Sequence, residues 1–155
     1  MGNDRHARSF RDLMVYRKAF EVAKRIFEMT KNFPKEELYS PTDQIKRSSR
    51  SIGGQIAEAW GKRRYEKHFI SKLTDADAEQ METQHWLDVA ASCGYISGDE
   101  KETLETELQE IGRMLNAMMA KAGLFCKQDI FILKEEESAF ILNEDTGHGL
   151  LITGH

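Results

Sequence analysis

A chain of 155 residues with a 40% apolar and 31% charged composition is long enough for one ordinary domain, and this composition is that of a folded, well-solvated protein. Two prolines and 11 glycines leave little material for irregular structure, so long helices should dominate. No apolar run reaches the roughly 18 residues of a membrane span and residues 1–6 lack a signal-peptide core, which predicts a cytoplasmic protein with no membrane contact. Cys93 and Cys126 are too few for a disulfide framework and too isolated for a thiolate metal site, so each is expected to be a small apolar filler.

The net charge of −4 divides unevenly: residues 1–67 carry +7, residues 68–126 carry −7 and residues 127–155 carry −4. Such asymmetry speaks about fields and partners rather than fold. It fits a basic helix pair neutralising an acidic one within a bundle, or a dedicated basic binding surface.

The first helix is expected over about 12–32, with Asp12 as its N-cap, because Val15, Ala19, Val22, Ile26, Met29 and Phe33 recur at steps of four and three. A second stripe of Tyr16, Phe20, Ala23, Phe27 and Thr30 makes the apolar face wide enough to be covered on two sides. Pro34 restricts Phe33 and supports a stop there.

Ser40-Pro41-Thr42-Asp43 starts a helix over about 41–60, with a hydroxyl able to cap, proline at the first helical position and an acid in the first turn. Its inward positions are Ile45, Ser49, Ile52, Ile56 and Ala59. Gly53-Gly54 in mid-helix costs about 1 kcal/mol per glycine relative to alanine, which calls for close approach of another backbone or a kink. Gly61 ends the helix, with Lys62-Arg63-Arg64 at its negative pole.

A third helix over about 65–93 carries the stripe Phe69, Leu73, Ala76, Gln80, Thr83, Leu87 and Ala90, polar in its middle, which predicts a layer held by side-chain hydrogen bonds. Trp86, Val89 and Cys93 form a late second edge, and Gly94 closes the helix. Ser97-Gly98-Asp99-Glu100 opens a fourth helix over about 98–122, with Leu104, Leu108, Ile111, Leu115, Met118 and Ala122 inward and Gly123 as the stop. Short links force neighbouring helices to run antiparallel, so the expected fold is an all-α, up-down-up-down four-helix bundle over residues 1–126, with a C-terminal extension over 127–155.

From about Phe10 to Phe125 the chain resembles a known family. The resemblance is carried by Gln44-Ile45-Lys46-Arg47, by Ser51-Ile52-Gly53-Gly54-Gln55-Ile56-Ala57-Glu58-Ala59-Trp60-Gly61-Lys62-Arg63, and by Glu82-Thr83-Gln84-His85-Trp86-Leu87 through Gly94-Tyr95-Ile96. These segments look like the large-subunit (23S) ribosomal RNA intervening-sequence proteins, also called four-helix-bundle proteins. That family is similar to the accessory variability determinant of diversity-generating retroelements, a basic homopentameric barrel thought to bind nucleic acid and a reverse transcriptase. The resemblance implies a homo-oligomer, a pentamer. The chain departs from the family pattern at Gly53, Gln55 and Ala59, where a proline, an asparagine and a glycine are usual.

No catalytic residue, cofactor or metal site is expected. A ferritin-type di-metal site needs two Glu-x-x-His motifs, and Glu82-Thr83-Gln84-His85 is the single match, read instead as a surface or interface pair. Gly61-Lys62 lacks the upstream glycine and following hydroxyl of a phosphate loop. Gln80, Thr83 and Glu58 are read as buried structural partners rather than catalysts.

The candidate nucleic-acid surface is Lys46, Arg47 and Arg50, extended by Lys62, Arg63, Arg64 and Lys67 toward an RNA or DNA phosphate backbone. No aromatic platform is read as alternating with these charges, which argues against base readout. A non-catalytic scaffold contacting RNA or an RNA-processing partner stands beside a purely protein-binding adapter, such as a reverse-transcriptase accessory. In the tail, Ile130-Phe131-Ile132-Leu133 and Phe140-Ile141-Leu142 flank Lys134-Glu135-Glu136-Glu137, and such apolar runs predict docking on the bundle or on a neighbouring subunit.

Overall fold

Four long helices account for most of residues 7–126, the part of the chain that the computed structural model describes: α1 (Met14–Thr30), α2 (Pro41–Gly61), α3 (Glu66–Ser92) and α4 (Gly98–Ala120). Single 3₁₀ turns at Phe10–Asp12 and Lys35–Glu37 precede α1 and α2. The tail over 127–155, and with it the expectation that it docks, lies outside the described residues. No helix among the described residues is long and apolar enough to cross a membrane.

The helix ends follow local chemistry, with corrections to several of the expected caps. Asp12 does not cap α1: its carboxylate closes a capping box with Ser9 around the preceding 3₁₀ turn, and α1 begins after Leu13 with no side-chain cap. Ser40 likewise caps through its backbone alone, its carbonyl accepting the Gln44 N–H, while Pro41 takes the first helical position, where its missing N–H costs nothing. Ser97 and Glu100 form the reciprocal box expected at the start of α4. Gly94 adopts φ +74°, and the Tyr95 N–H reaches the Ala90 carbonyl at 2.9 Å, so α3 ends in a Schellman turn. Gly123 is not the stop of α4: the break comes at Lys121, and residues 122–126 form a further helical turn that includes Gly123.

The apolar stripes meet as a core. Every residue of the α3 stripe is buried, as are Leu104, Leu108, Ile111, Leu115 and Met118 from α4, Ala122 just after it, and Ile45, Ile52, Ile56 and Ala59 from α2. Side chains that meet across the seams run in opposite directions along their helices. Ser48 meets Thr83 and Glu58 meets Lys72 between α2 and α3, while Asp88 meets Lys101 and Asp77 meets Asn116 between α3 and α4. That ordering is an antiparallel bundle, which α1 closes by packing on both α2 and α4. The link between α3 and α4 is tied to the link between α1 and α2, where the Tyr95 phenol donates to Glu37 at 2.8 Å and its ring lies 5.4 Å from that of Phe33. The hydrogen bond to Glu37 is the main cause that pushes the Tyr95 pKa up to about 12.

The polar layer expected in the middle of α3 is present. The buried Thr83 and Ser48 hydroxyls are hydrogen-bonded at 3.0 Å across the α2–α3 seam, and the buried Gln80 amide donates to Asp77 at 2.9 Å. Glu58, by contrast, is exposed rather than buried, because α2 turns it toward Lys72 at the surface. Cys126 is buried, but Cys93 is exposed at the C-cap of α3 and is not a core filler.

Gly112 is what lets α4 close over this layer: a Cβ there would stand 2.9 Å from Gln80 Nε2 and 3.2 Å from Asp77 Oδ1. Gly112→Ala gains about 1 kcal/mol of helix propensity but must push the Gln80 amide off Asp77, at a cost of about 1–3 kcal/mol for a buried donor left unpaired. The expected net result is a loss of about 1 kcal/mol, read as a lower urea midpoint. A raised midpoint would show slack in the α3–α4 seam.

Candidate nucleic-acid interface

The solvent face of α2 is set by helical spacing, which turns Asp43, Arg47, Arg50, Gly54, Glu58 and Gly61 outward together. Its first half is basic. Lys46, Arg47 and Arg50, with Asp43 and Ser51, line a shallow depression of about 450 Å³. The Arg50 guanidinium lies 5.2 Å from the centre of the Phe27 ring on α1, a cation–π contact that steadies it at the surface. Arg47 is close enough to Glu79 on α3 to be felt electrostatically: burial raises the Glu79 pKa, with Glu82 adding to the rise and Arg47 opposing it.

Neutralisation between helices is selective. Lys18 pairs with Glu110 at 3.2 Å and Arg25 with Glu107, so two cations of α1 are answered by acids of α4, while Arg17 and Lys24 pair locally with Asp12 and Glu21. Lys101 of α4 pairs with Asp88 of α3 at 2.9 Å. Lys72 reaches back from α3 to Glu58 on α2 at 2.9 Å, and their hydrogen bond lowers the pKa of Glu58 and raises that of Lys72. None of Lys46, Arg47, Arg50, Lys62, Arg64 and Lys67 lies within ion-pair distance of a carboxylate among the described residues.

The seven cations expected to form one stripe fall into two groups. Lys62, Arg63, Arg64 and Lys67 gather at the turn between α2 and α3 and at the first turn of α3, about 18 Å along the helix axis from Arg50. Between the groups the face of α2 carries Gly54 and the ion-paired Glu58, so the positive surface is interrupted rather than continuous.

The second group has aromatic company that the sequence reading missed. The Arg63 guanidinium carbon lies over the Trp60 indole, 3.6 Å from its centre, and the side chain donates to the Trp60 carbonyl at 2.7 Å. Tyr65 is 58% exposed, and its ring centre is 5.4 Å from that of His68. The alternation was available in the run Trp60-Gly61-Lys62-Arg63-Arg64-Tyr65-Glu66-Lys67-His68, where aromatic and basic residues follow one another across a helix end.

A second surface lies beside the first. Between α1 and α2 runs an apolar groove of about 480 Å³ whose walls include Phe10, Tyr16, Phe20, Phe27, Gly53 and Gly54. The wide α1 face packs on both α2 and α4, but its second stripe is covered only in part: within the described residues Phe20 stays 53% and Phe27 39% exposed. Among the described residues no other backbone approaches the paired glycines: a Cβ on Gly53 would stand 3.6 Å from the Tyr16 ring and one on Gly54 would meet nothing within 4 Å, leaving the floor of the groove flat. On α3, Glu82 accepts the Trp86 indole N–H at 3.2 Å, and His85 stands edge-on to the Trp86 ring with centres 4.9 Å apart.

Comparison with known proteins bears on the whole bundle. A family model described as 23S rRNA-intervening sequence protein matches residues 11–117. A solved structure of a protein of unknown function from the S23 ribosomal protein family of Bacteroides thetaiotaomicron VPI-5482 is similar at 31% identity and a TM-score of 0.63. The match covers 68% of this chain and 98% of that one. No curated protein matches. A match over all four helices, with the fold shared by a relative at this identity, shows that the chain belongs to the 23S rRNA-intervening sequence protein family.

Proposed function

We propose that the protein is a non-catalytic, cytoplasmic, homo-oligomeric scaffold that contacts the phosphates of RNA or DNA through the basic surface of α2. The observation that supports this most is selective neutralisation: α1 spends Lys18 and Arg25 on α4, whereas Lys46, Arg47 and Arg50 on α2 have no such partner among the described residues. A purely structural charge pattern would be expected to pair both helices alike. The family's name concerns an intervening sequence of 23S rRNA, which makes RNA the first probe to use. Self-association through the open α1 stripe, in a ring of five as the family resemblance implies, would repeat the basic patch and raise avidity without new contacts.

The apolar groove supports a second reading, an adapter that holds a protein partner and no nucleic acid, because Phe20 and Phe27 offer a protein the exposed aromatic anchors it favours. The two separate in a fluorescence titration with generic RNA at two salt concentrations. Phosphate binding must weaken steeply with salt. Arg47→Glu/Arg50→Glu should weaken it by tenfold or more, roughly, and flatten the logarithmic salt slope by about 1.5 as two phosphate contacts are lost. Binding that ignores salt and both substitutions, or no binding, favours the adapter.

A further inference from the structure

We infer that the α2–α3 turn binds single-stranded nucleic acid, with an unpaired base stacked on Tyr65 and the flanking phosphates held by Lys62, Arg64 and Lys67. This deepens the phosphate-binding reading and rests on it. Tyr65 is the N-cap of α3, in extended backbone at φ −120° and ψ 109°. Its carbonyl accepts the N–H groups of His68 and Phe69, both at 3.0 Å, so its backbone is fixed by the helix it starts. The inward place at this end of α3 is taken by Phe69, which is fully buried, and Tyr65 stays at the surface with more than half its area in water. Among the described residues its one ring contact is His68, with centres 5.4 Å apart, so much of its aromatic surface is left open to solvent.

The surroundings define what that face would take. Lys62, Arg64 and Lys67 are exposed around it, and no carboxylate among the described residues stands within ion-pair distance of them. Glu66, the acid within this run, lies toward Gly123 of the segment after α4: its carboxylate is 3.9 Å from where a Cβ on that glycine would be. Arg63, held over Trp60, adds a second guanidinium at the same turn. Rings interleaved with cations at a helix end match the recognition of a single strand, in which bases stack on aromatic side chains and the backbone follows positive charge. A duplex keeps its base faces inside the stack and presents none to Tyr65. The basic depression on α2 differs, since Phe27 is the ring beneath Arg50 rather than a platform beside it.

Fluorescence anisotropy on the full chain tests this with two labelled probes, a mixed-sequence 15-nucleotide RNA without self-pairing and its perfect duplex, each at two salt concentrations. The wild type should prefer the single strand. Tyr65→Ala should weaken the single strand about tenfold, leave the duplex unchanged and preserve the salt slope, because stacking releases no counterions. Tyr65→Phe should retain wild-type affinity, and Lys62→Glu/Arg64→Glu should weaken both probes and flatten both slopes. Salt-sensitive binding with no strand preference and no effect of Tyr65→Ala overturns the stacking inference while the phosphate reading stands. Absence of salt-sensitive binding to either probe overturns both.

Discussion

In the proposed homo-oligomer, replacing Phe20 and Phe27 together with glutamate should release a lone protomer in dilute buffer, as read by light scattering. Both rings project from the second stripe of α1, 53% and 39% exposed, beside a groove floored by Gly53 and Gly54. A buried aromatic ring removes on the order of 150–250 Å² from water, at about 25 cal/mol per Å², so two rings repeated at each proposed subunit contact would supply several kcal/mol of association. Two carboxylates in their place would have to be desolvated without partners, which reverses the sign. The fold itself should survive, because neither ring belongs to the buried core formed by Val15, Ala19, Val22 and Ile26, and the thermal transition of the variant monomer should remain cooperative. If the unaltered protein already scatters as a well-folded monomer, the ring and the multivalent contact built on it are both gone.

The core and the order of the helices were legible because burial repeats with the helix. The seven residues read as the inward stripe of α3, Phe69 through Ala90, are the seven that are buried, since a period near 3.5 over 27 residues leaves no competing face. The helix ends were less legible because several residues compete to cap. Asp12 was available to α1, but Ser9 three residues earlier offered it a reciprocal capping box, and that local pair won. Gly123 resembled a stop, yet a glycine with φ in the ordinary helical range does not end a helix by itself. For the candidate interface, the cations could be named from the sequence, but which of them are spent could not. Whether Lys18 and Arg25 meet Glu110 and Glu107 depends on α1 closing against α4, a contact between residues more than eighty positions apart. The same holds for Glu58, whose surface pairing with Lys72 interrupts the positive face. Tyr65 was missed for a different reason: it precedes the α3 stripe that begins at Phe69, and the spacing that marks inward positions does not say how far a ring at a helix start stays in water.

Phe69→Ala should produce the largest loss of stability of any substitution at this end of the bundle, about 3–5 kcal/mol. The ring is fully buried in the first turn of α3 and stacks on Phe125, with centres 5.7 Å apart, so it joins α3 to the segment that follows α4. Truncation leaves a cavity where the α2–α3 turn, the start of α3 and residues 122–126 converge, and three chain segments anchored in part by one ring cannot all collapse into the space. For a helical domain of this size the thermal midpoint should fall by about 10–20 °C. A fall of only a few degrees would mean that the end of the bundle is loosely packed and that Phe125 does not depend on Phe69. The consequence reaches the surface, because the Phe69 N–H is bonded to the Tyr65 carbonyl and the basic turn is built directly on that helix start. Below its lowered midpoint the variant should therefore lose affinity for single-stranded RNA more than for duplex, since the Tyr65 platform loosens while the Arg47 and Arg50 patch, near the other end of α2, keeps its place.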